Sequence, residues 1–466
     1  MKRGFAVALL LVVALNSQIN DATDENQVEI AQLCTIYKLL TAPLPEQKTQ
    51  ETAASSTDQA PHDTMSQVLN RALKLNLTIA VEPVDVVLKD TEKYKTKKDV
   101  DNDADKKGYF KLQTDDDLNK LRKLYGEVVG AEKANKEFSQ TYKTPISAVH
   151  KATLRTPIAH LYKKLLEIHK KFSKDEQQLI SDEKEARLKL IEAAGGEQLK
   201  TAAADTVTAI STGPEFTTET LPWEGTNDRD ANCKEAGKTE KKAGMAVATD
   251  MLCICFAKKN GAHTFCQTSA LTTTDHSSAK PASDVINDWH ATVKLCKETP
   301  VGDTLAQRAH YILTAVADFK ARLGKNMIKV GSVTDANNGA AKVGNFYGVY
   351  VYGAAAPVCD SSTTETSAAG HGVCIDYSAV RKPGKEIPWV AKATAAATDL
   401  IRLDHQRQKL ENLVIAAQSV ERQMEEVLLM KDLIDKTSPT AANQPNTKAT
   451  TVNDNKCKPT NATPAE

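Results

Sequence analysis

Two long stretches of heptad-spaced apolar residues constrain the fold of this chain more than any other feature of its sequence. In residues 154–190, apolar side chains recur at spacings of mostly three, four and seven residues. Residues 391–436 show the same spacing, and charged residues between the apolar ones, including Arg407 and Glu421, are expected on the outer face. Helices with seams this apolar must pack against a partner. Because a long insertion separates the two stretches, we expect an antiparallel pair.

The sequence also indicates where these two helices begin and end. The first is predicted over about residues 156–195, from Thr156-Pro157 to Gly195-Gly196. Threonine can cap a helix, proline at the first helical position loses no hydrogen bond, and glycine commonly follows a helix end. The second is predicted over about residues 391–436. The low aromatic share, 5%, fits helices that pack through aliphatic seams.

The residues between the two long helices, about 200–388, have a different composition. They are rich in Thr, Ala, Gly and Ser, and the run 346–352 (FYGVYVY) favours a strand. Earlier in the chain, a helix is predicted over residues 25–40, a helical or mixed segment over 65–79, and an exposed charged loop or helix approach over 89–121. The predicted fold is mainly α: an elongated antiparallel two-helix coiled-coil stalk or helical bundle, with a disulfide-stapled irregular α+β lobe.

Both ends of the chain differ from this predicted domain, which covers residues 23–436. Residues 1–22 follow the secretory pattern, because Lys2 and Arg3 precede an apolar stretch of about 11 residues, too short to span a bilayer. Residues 437–466 are rich in Thr, Pro, Asn and Ala, which is typical of a flexible linker. Two sequons predict exposed N-glycosylation sites at Asn76 and Asn461.

Secretion determines how the nine cysteines are interpreted, because disulfides persist in oxidising compartments. Cys457 stands alone near the end of the chain, and its partner is expected to lie outside this sequence. The other eight are expected to form four bridges: Cys34, Cys233, Cys253, Cys255, Cys266, Cys296, Cys359 and Cys374.

The connectivity of these eight cysteines stays open at this point. Cys359 and Cys374 flank a Ser/Thr/Gly loop that would let them pair, and Cys34 is expected to reach a distant partner. Cys253 and Cys255 point the same way if their segment is extended, so they should bond to different partners. A zinc site is the competing interpretation, but its ligand spacing is irregular: Cys253, Cys255, His263 and Cys266.

Motifs for catalysis and cofactor binding are not found in the sequence, which has no GxSxG, HExxH, P-loop or GxGxxG. Four alternating aspartates imitate half of an EF-hand loop, but Ala104 and Phe110 stand where that loop needs Gly and Glu. A solvated acidic loop is therefore favoured for Asp99, Asp101, Asp103 and Asp105. The ten histidines lack metal-ligand spacing. Lys+Arg and Asp+Glu balance at 60 each, which removes the long-range attraction for nucleic acid. We expect no catalytic site, metal, cofactor or nucleic-acid partner.

In combination, these features resemble the variant surface glycoproteins of African trypanosomes, specifically their N-terminal domains of type B. The resemblance is carried by the signal peptide followed by residues 33–37 (LCTIY) and by the two heptad helices around a cysteine-bearing lobe. Further support comes from Ile387-Pro388-Trp389 before an Ala-rich helix, and from the Thr-rich linker that ends in Lys456-Cys457-Lys458. The resemblance covers essentially the whole chain.

The resemblance implies a homodimer or homotrimer on the extracellular face of the plasma membrane, held by a glycosylphosphatidylinositol (GPI) anchor on a Cys-rich C-terminal domain. Cys457 would be the first cysteine of that truncated domain. Such proteins form a dense coat that shields the membrane and presents variable loops to host antibodies, which amounts to antigenic variation and immune evasion. The alternative is a receptor on the same scaffold for a host serum protein of the transferrin or haptoglobin–haemoglobin type. Some relatives carry an O-linked sugar on a lobe serine, for which Ser332, Ser361 and Ser362 are candidates.

Overall fold

A computed structural model describes residues 24–47, 59–129, 133–237, 239–258, 263–330, 343–362 and 369–430. The predicted signal peptide, Ser332, Cys457 and Asn461 lie outside these residues. The described residues belong to two compact units, unit 1 within Met1–Ser66 and Glu167–Ala416 and unit 2 within Gln67–Leu166 and Ala417–Glu466. Among the helices described, none has the length and apolar character needed to cross a lipid bilayer.

Helices dominate the described residues, and a small sheet lies in unit 1. The helices are α1 (Gln27–Thr41), α2 (Pro61–Leu77), α3 (Glu82–Lys89), α4 (Lys97–Asn102), α5 (Asp115–Val129), α6 (Lys133–Tyr142), α7 (Ala148–Ala203), α8 (Arg229–Cys233), α9 (Val247–Cys255), α10 (Ala282–Val293), α11 (Leu305–Arg322) and α12 (Pro388–Leu429). The strands are β1 (Met327–Lys329), β2 (Phe346–Tyr352) and β3 (Gly372–Asp376). The mainly α fold predicted from the sequence is therefore confirmed.

The two long helices are α7 and α12, and both begin and end at other residues than predicted. α7 begins at Ala148 because the Ser147 side chain accepts the backbone N–H of His150 at 3.3 Å and caps the helix. Pro157 consequently lies inside the helix and not at its start. Gly196 has φ +81°, which marks a kink where the sequence predicted the end. α12 does begin with a proline, Pro388.

Within unit 1, ion pairs show that α7 and α12 run antiparallel, as predicted. Glu192 pairs with Lys392 at 2.6 Å, and Asp175 pairs with Lys409 at 2.7 Å, so residue numbers fall along α7 as they rise along α12. The coiled-coil packing of their seams stays a prediction.

Burial along α12 corrects one of its two predicted heptad positions. Leu403, Leu410, Ala417 and Met424, predicted at the first heptad position, are buried. At the second, predicted as Leu413, Val420 and Val427, only Val420 is buried, and the following residues Val414 and Leu428 are buried in place of Leu413 and Val427. Arg407 and Glu421, expected on the outer face, fall in this buried register. Arg407 is accommodated because it pairs with Glu183 at 2.7 Å and donates to the Pro45 carbonyl.

Residues 89–121 of unit 2 were expected to be an exposed charged loop or helix approach; they do lead into α5, but they are not simply an exposed loop. A capping box between Thr96 and Asp99 starts α4 inside this segment. Tyr94 is buried and its hydroxyl donates to Asp103 at 2.7 Å. The segment also contributes to an apolar cluster with α2, α3 and α5: Leu77, Val87, Leu88, Tyr94, Val100, Leu112, Leu118, Leu124, Tyr125 and Val128. Its apolar residues were too sparse to reveal this core in the sequence.

The sheet of unit 1 has the order β1-β2-β3, with β1 parallel and β3 antiparallel to β2. All seven residues of β2 are buried, which a strand covered on both faces requires. The rings of Phe346 and Tyr350 cluster with the Cys359–Cys374 disulfide on one side. On the other, Tyr347 packs against Phe319 of α11. β2 matches the predicted strand.

Four disulfides hold unit 1 together: Cys34–Cys296, Cys233–Cys253, Cys255–Cys266 and Cys359–Cys374. Cys34 joins α1 to a residue 262 positions away. Cys253 and Cys255 lie on helix α9 and not on an extended segment, although they do bond to different partners.

Gly348 on β2 gives a direct test of the sheet. Its φ is +103°, and an added Cβ would lie 2.6 Å from the Val373 carbonyl oxygen. Gly348→Ala should therefore lower the free energy of unfolding by about 3 kcal/mol or more, measured by urea denaturation of the oxidised protein. Gly344→Ala is the matched control, because nothing lies within 4 Å of its added Cβ. Similar losses in both variants would contradict the described β2–β3 register.

Candidate functional site

The C-terminal end of α1 is the most unusual polar site in unit 1. The helix would pair the Leu39 carbonyl with the N–H of residue 43, but that residue is proline and has none. In a continuing helix the N–H of Leu44 would donate to the Leu40 carbonyl, but here it donates to the Ala209 carbonyl. The end of α1 therefore presents buried carbonyl groups that need donors from elsewhere in the chain.

Two fully buried arginines supply these donors. Arg308 of α11 donates to the carbonyls of Leu39 at 3.0 Å, Ala42 at 3.2 Å and Pro43 at 3.0 Å, and also to Val301. Arg187 of α7 donates to Leu40 at 2.8 Å and to Thr41. A positive charge at a helix C-terminus also interacts favourably with the helix dipole.

Burial affects the charge of both guanidinium groups. Loss of solvation lowers the pKa of Arg308 to about 10. It also lowers the pKa of Arg187 to about 10, with a smaller contribution from the nearby charge of Arg308. Both side chains stay cationic at neutral pH. They act as structural clamps on the main chain, since their donors face carbonyl oxygens.

The N-terminal end of α1 is held by Asn26, which is also fully buried. Its side-chain nitrogen donates to the carbonyls of Ile254 at 2.7 Å and Val373 at 2.9 Å. Its side-chain oxygen accepts from the Val349 N–H at 2.7 Å and from the Asn326 side chain at 3.1 Å. One amide thus joins α1 to α9 and to both strands of the β2–β3 pair.

Asp250 on α9 explains the Ile387-Pro388-Trp389 motif at the start of α12. Its carboxylate, fully buried, accepts from the Trp389 indole N–H at 2.7 Å, the Tyr377 hydroxyl at 2.6 Å and the Gly244 N–H at 2.6 Å. Burial raises the pKa of Asp250 to about 7, and these hydrogen bonds only partly offset that effect. The motif therefore docks the long helix onto the lobe.

A buried His–Asp pair in the lobe has the residue types of a catalytic dyad, but solvent does not reach it. His276 Nε2 lies 2.9 Å from Asp288 Oδ2, and both side chains are almost completely buried. The other Asp288 oxygen accepts from Thr274 at 2.8 Å. His263 contacts the Thr274 carbonyl at 2.8 Å, and burial lowers its pKa, which favours the neutral ring. Because both side chains of the pair are closed off from solvent, the arrangement is part of the interior packing of the lobe.

The zinc interpretation of the cysteines is wrong. Cys253, Cys255 and Cys266 are all in disulfides, so their sulfurs have no thiolate to offer a metal, and His263 is engaged by the main chain. The described part of the chain contains no group of three or more His, Cys, Asp or Glu side chains placed to bind a metal. In the run of alternating aspartates, Asp99 belongs to the capping box of α4, Asp101 pairs with Lys97, and Asp103 accepts from the Tyr94 hydroxyl.

The predicted modification sites have different environments. Asn76 is half-buried in the last turn of α2 and lines a cavity of unit 2. Ser361 is completely buried, and its hydroxyl donates to Asp230 at 2.6 Å while accepting from the Lys258 N–H at 2.8 Å. Its burial argues against an O-linked sugar at Ser361. Ser362 beside it is exposed.

Sequence reasoning missed Arg187, Arg308, Asp250 and Asn26. One usable signal was available for Arg308, which adjoins the apolar stripe of α11 formed by Leu305, Ala309 and Ile312. A charged residue on such a face must find a buried partner. The partners themselves are main-chain groups, which no sequence pattern identifies.

Comparison with known families gives a match. A family model described as "Trypanosomal VSG domain" matches residues 8–417, which include α7, the lobe and α12 as far as residue 417. No curated protein matches the chain.

Removing the Arg308 clamp should destabilise the protein strongly. Arg308→Met leaves several buried carbonyls without donors, and we expect a loss of about 3 kcal/mol or more in the free energy of unfolding. The measurement is guanidinium chloride denaturation with disulfides intact. Arg402→Met is the control, because Arg402 is half-exposed and its ion pair with Asp182 should contribute at most about 1 kcal/mol. Equal losses would refute the clamp.

Asp250 should make stability depend on pH. Its folded pKa of about 7 lies above the unfolded value near 3.8, so the folded protein holds a proton that the unfolded chain releases. This contribution is fully present below about pH 4 and is lost as the pH rises through 7, with a slope of at most about 1.4 kcal/mol per unit. Asp250→Asn should remove this decline, whereas Asp318→Asn, at an exposed position of α11, should keep it. Parallel stability curves for wild type and Asp250→Asn would contradict the assignment.

Proposed function

The chain belongs to the trypanosomal VSG domain family, and we propose that it is a coat glycoprotein of the parasite surface. The family match carries this proposal. Members of that family are structural surface coat proteins and not enzymes. In finer detail, we propose that the coat varies antigenically, shields the membrane and evades host antibodies.

The polar contacts inside unit 1 support this proposal, because they recognise the main chain. Arg187 and Arg308 donate to carbonyls at the end of α1, and Arg229 donates to the carbonyls of Cys253 and Cys374. A carbonyl is present whatever side chain its residue carries. A scaffold held in this way can keep its geometry while exposed side chains change, as an antigenically variable coat requires.

Charge balance supports self-association, and we propose a homodimer or homotrimer. Lys+Arg and Asp+Glu balance at 60 each, which limits repulsion between copies at high density. On the long helices of unit 1, Ile180 and Ile415 are 62% and 58% exposed. We propose that these two side chains are buried between copies.

The predicted secretory signal and the family match support a surface location. We propose that residues 1–22 are removed, that residues 23–436 form the N-terminal domain, and that residues 437–466 lead into a Cys-rich C-terminal domain with a GPI anchor on the plasma membrane. Asn76 and Asn461 are proposed as N-glycosylated.

Surface location and anchoring can be tested together in trypanosomes that express the full-length protein. We expect antibody to label intact cells, and phosphatidylinositol-specific phospholipase C to release the protein into the medium. A surface protein with a transmembrane segment is the control that the enzyme should not release. Internal labelling would contradict the coat, and retention after lipase treatment would contradict the anchor. Stoichiometric capture of a host serum protein by the released domain would favour the receptor alternative.

A further inference from the structure

Unit 2 contains an open groove whose lining is largely apolar. It lies among α2, α3, the turn at residues 108–112, α5 and the first part of α7, and its volume is about 630 Å³. Its lining includes Tyr109 and Leu166, which are 55% and 43% exposed. Exposed apolar side chains gathered in one concave surface indicate that something covers them. We call this surface the α2 groove.

The predicted N-glycosylation site lies in the α2 groove. Asn76 is in the last turn of α2 and is one of the residues that line it. The Asn76 side chain has no hydrogen-bonding partner among the described residues. A sugar attached to its amide nitrogen would start inside the groove. The covalent bond would therefore give the sugar a high effective concentration at the groove, which a free ligand does not have.

We propose that the N-linked glycan on Asn76 folds back into the α2 groove and covers its apolar lining. The proposal rests on the glycoprotein status proposed above and goes beyond it, because it assigns the glycan a position and a structural role. The groove thereby remains covered on a coat protein whose other surfaces face solvent and neighbouring copies.

The chemistry of the lining suits a sugar. The C–H faces of N-acetylglucosamine rings pack against aromatic rings, and both Tyr109 and Tyr162 line the groove. The hydroxyl and acetamido groups need hydrogen-bonding partners, and the exposed side chains of Lys120 and Arg155 provide donors. The groove volume falls within the range of about 300–1,000 Å³ typical of small-ligand sites.

The test uses the glycoprotein purified from a eukaryotic secretory host. Mass spectrometry first measures occupancy at Asn76, which should be high. The rate at which peptide-N-glycosidase F releases that glycan is then measured without denaturant. Tyr109→Ser removes an exposed ring of the groove and keeps the sequon, so it should speed release several-fold. Tyr311→Ser, which removes a partly exposed ring of unit 1, should release the glycan at the wild-type rate.

A second measurement keeps the test valid if Tyr109→Ser perturbs folding. Hydrogen exchange of residues 73–88 and 108–121 should be faster in enzymatically deglycosylated wild type than in the intact glycoprotein. An unmodified Asn76 would overturn the proposal, as would equal release rates together with unchanged exchange. Protection that grows with protein concentration would also overturn it, because a second copy would then cover the groove. None of these outcomes bears on surface location or lipase release, so failure here is distinguishable from failure of the coat function.

Discussion

The buried carbonyl groups at the end of α1 impose the constraint on which the rest of unit 1 depends. Pro43 has no N–H to donate to the Leu39 carbonyl, so that carbonyl needs a donor from another part of the chain. Arg308 and Arg187 do this from two different helices. The short N-terminal helix is consequently fastened to α7 and α11, and its position determines where the surrounding elements can pack.

Contacts of other kinds also hold α1 in place along its length. Asn26 binds main-chain groups of β2, β3 and α9 at its start, and Cys34 is joined covalently to Cys296 in its middle. Glu29, fully buried, pairs with Arg322 at 2.6 Å; burial raises its pKa, and Arg322 opposes that effect. α1 is therefore the centre of the lobe, although it lies far from the lobe in sequence.

The sequence predicted those features that follow from periodicity or composition. The antiparallel helix pair followed from the heptad seams, and β2 followed from its run of aromatic and β-branched residues. Two predictions failed for different reasons. The start of α7 moved because of a local cap, Ser147, that the prediction from the sequence overlooked, whereas the charge in the seam depends on a tertiary contact, the buried Arg407–Glu183 pair. In the candidate site, the Ile387-Pro388-Trp389 motif drew attention to Trp389, whereas no sequence pattern around Asp250 indicated that it is the partner of Trp389.

Native-state hydrogen exchange tests most directly whether α1 is clamped at both ends and forms the stable centre of the lobe. The measurement compares amides of α1 with those of β2 and of the short helix α3 in the oxidised protein. We expect α1 to exchange only through global unfolding, with the same free energy as β2. Exchange of α1 by local opening, at a free energy close to that of α3, would contradict it.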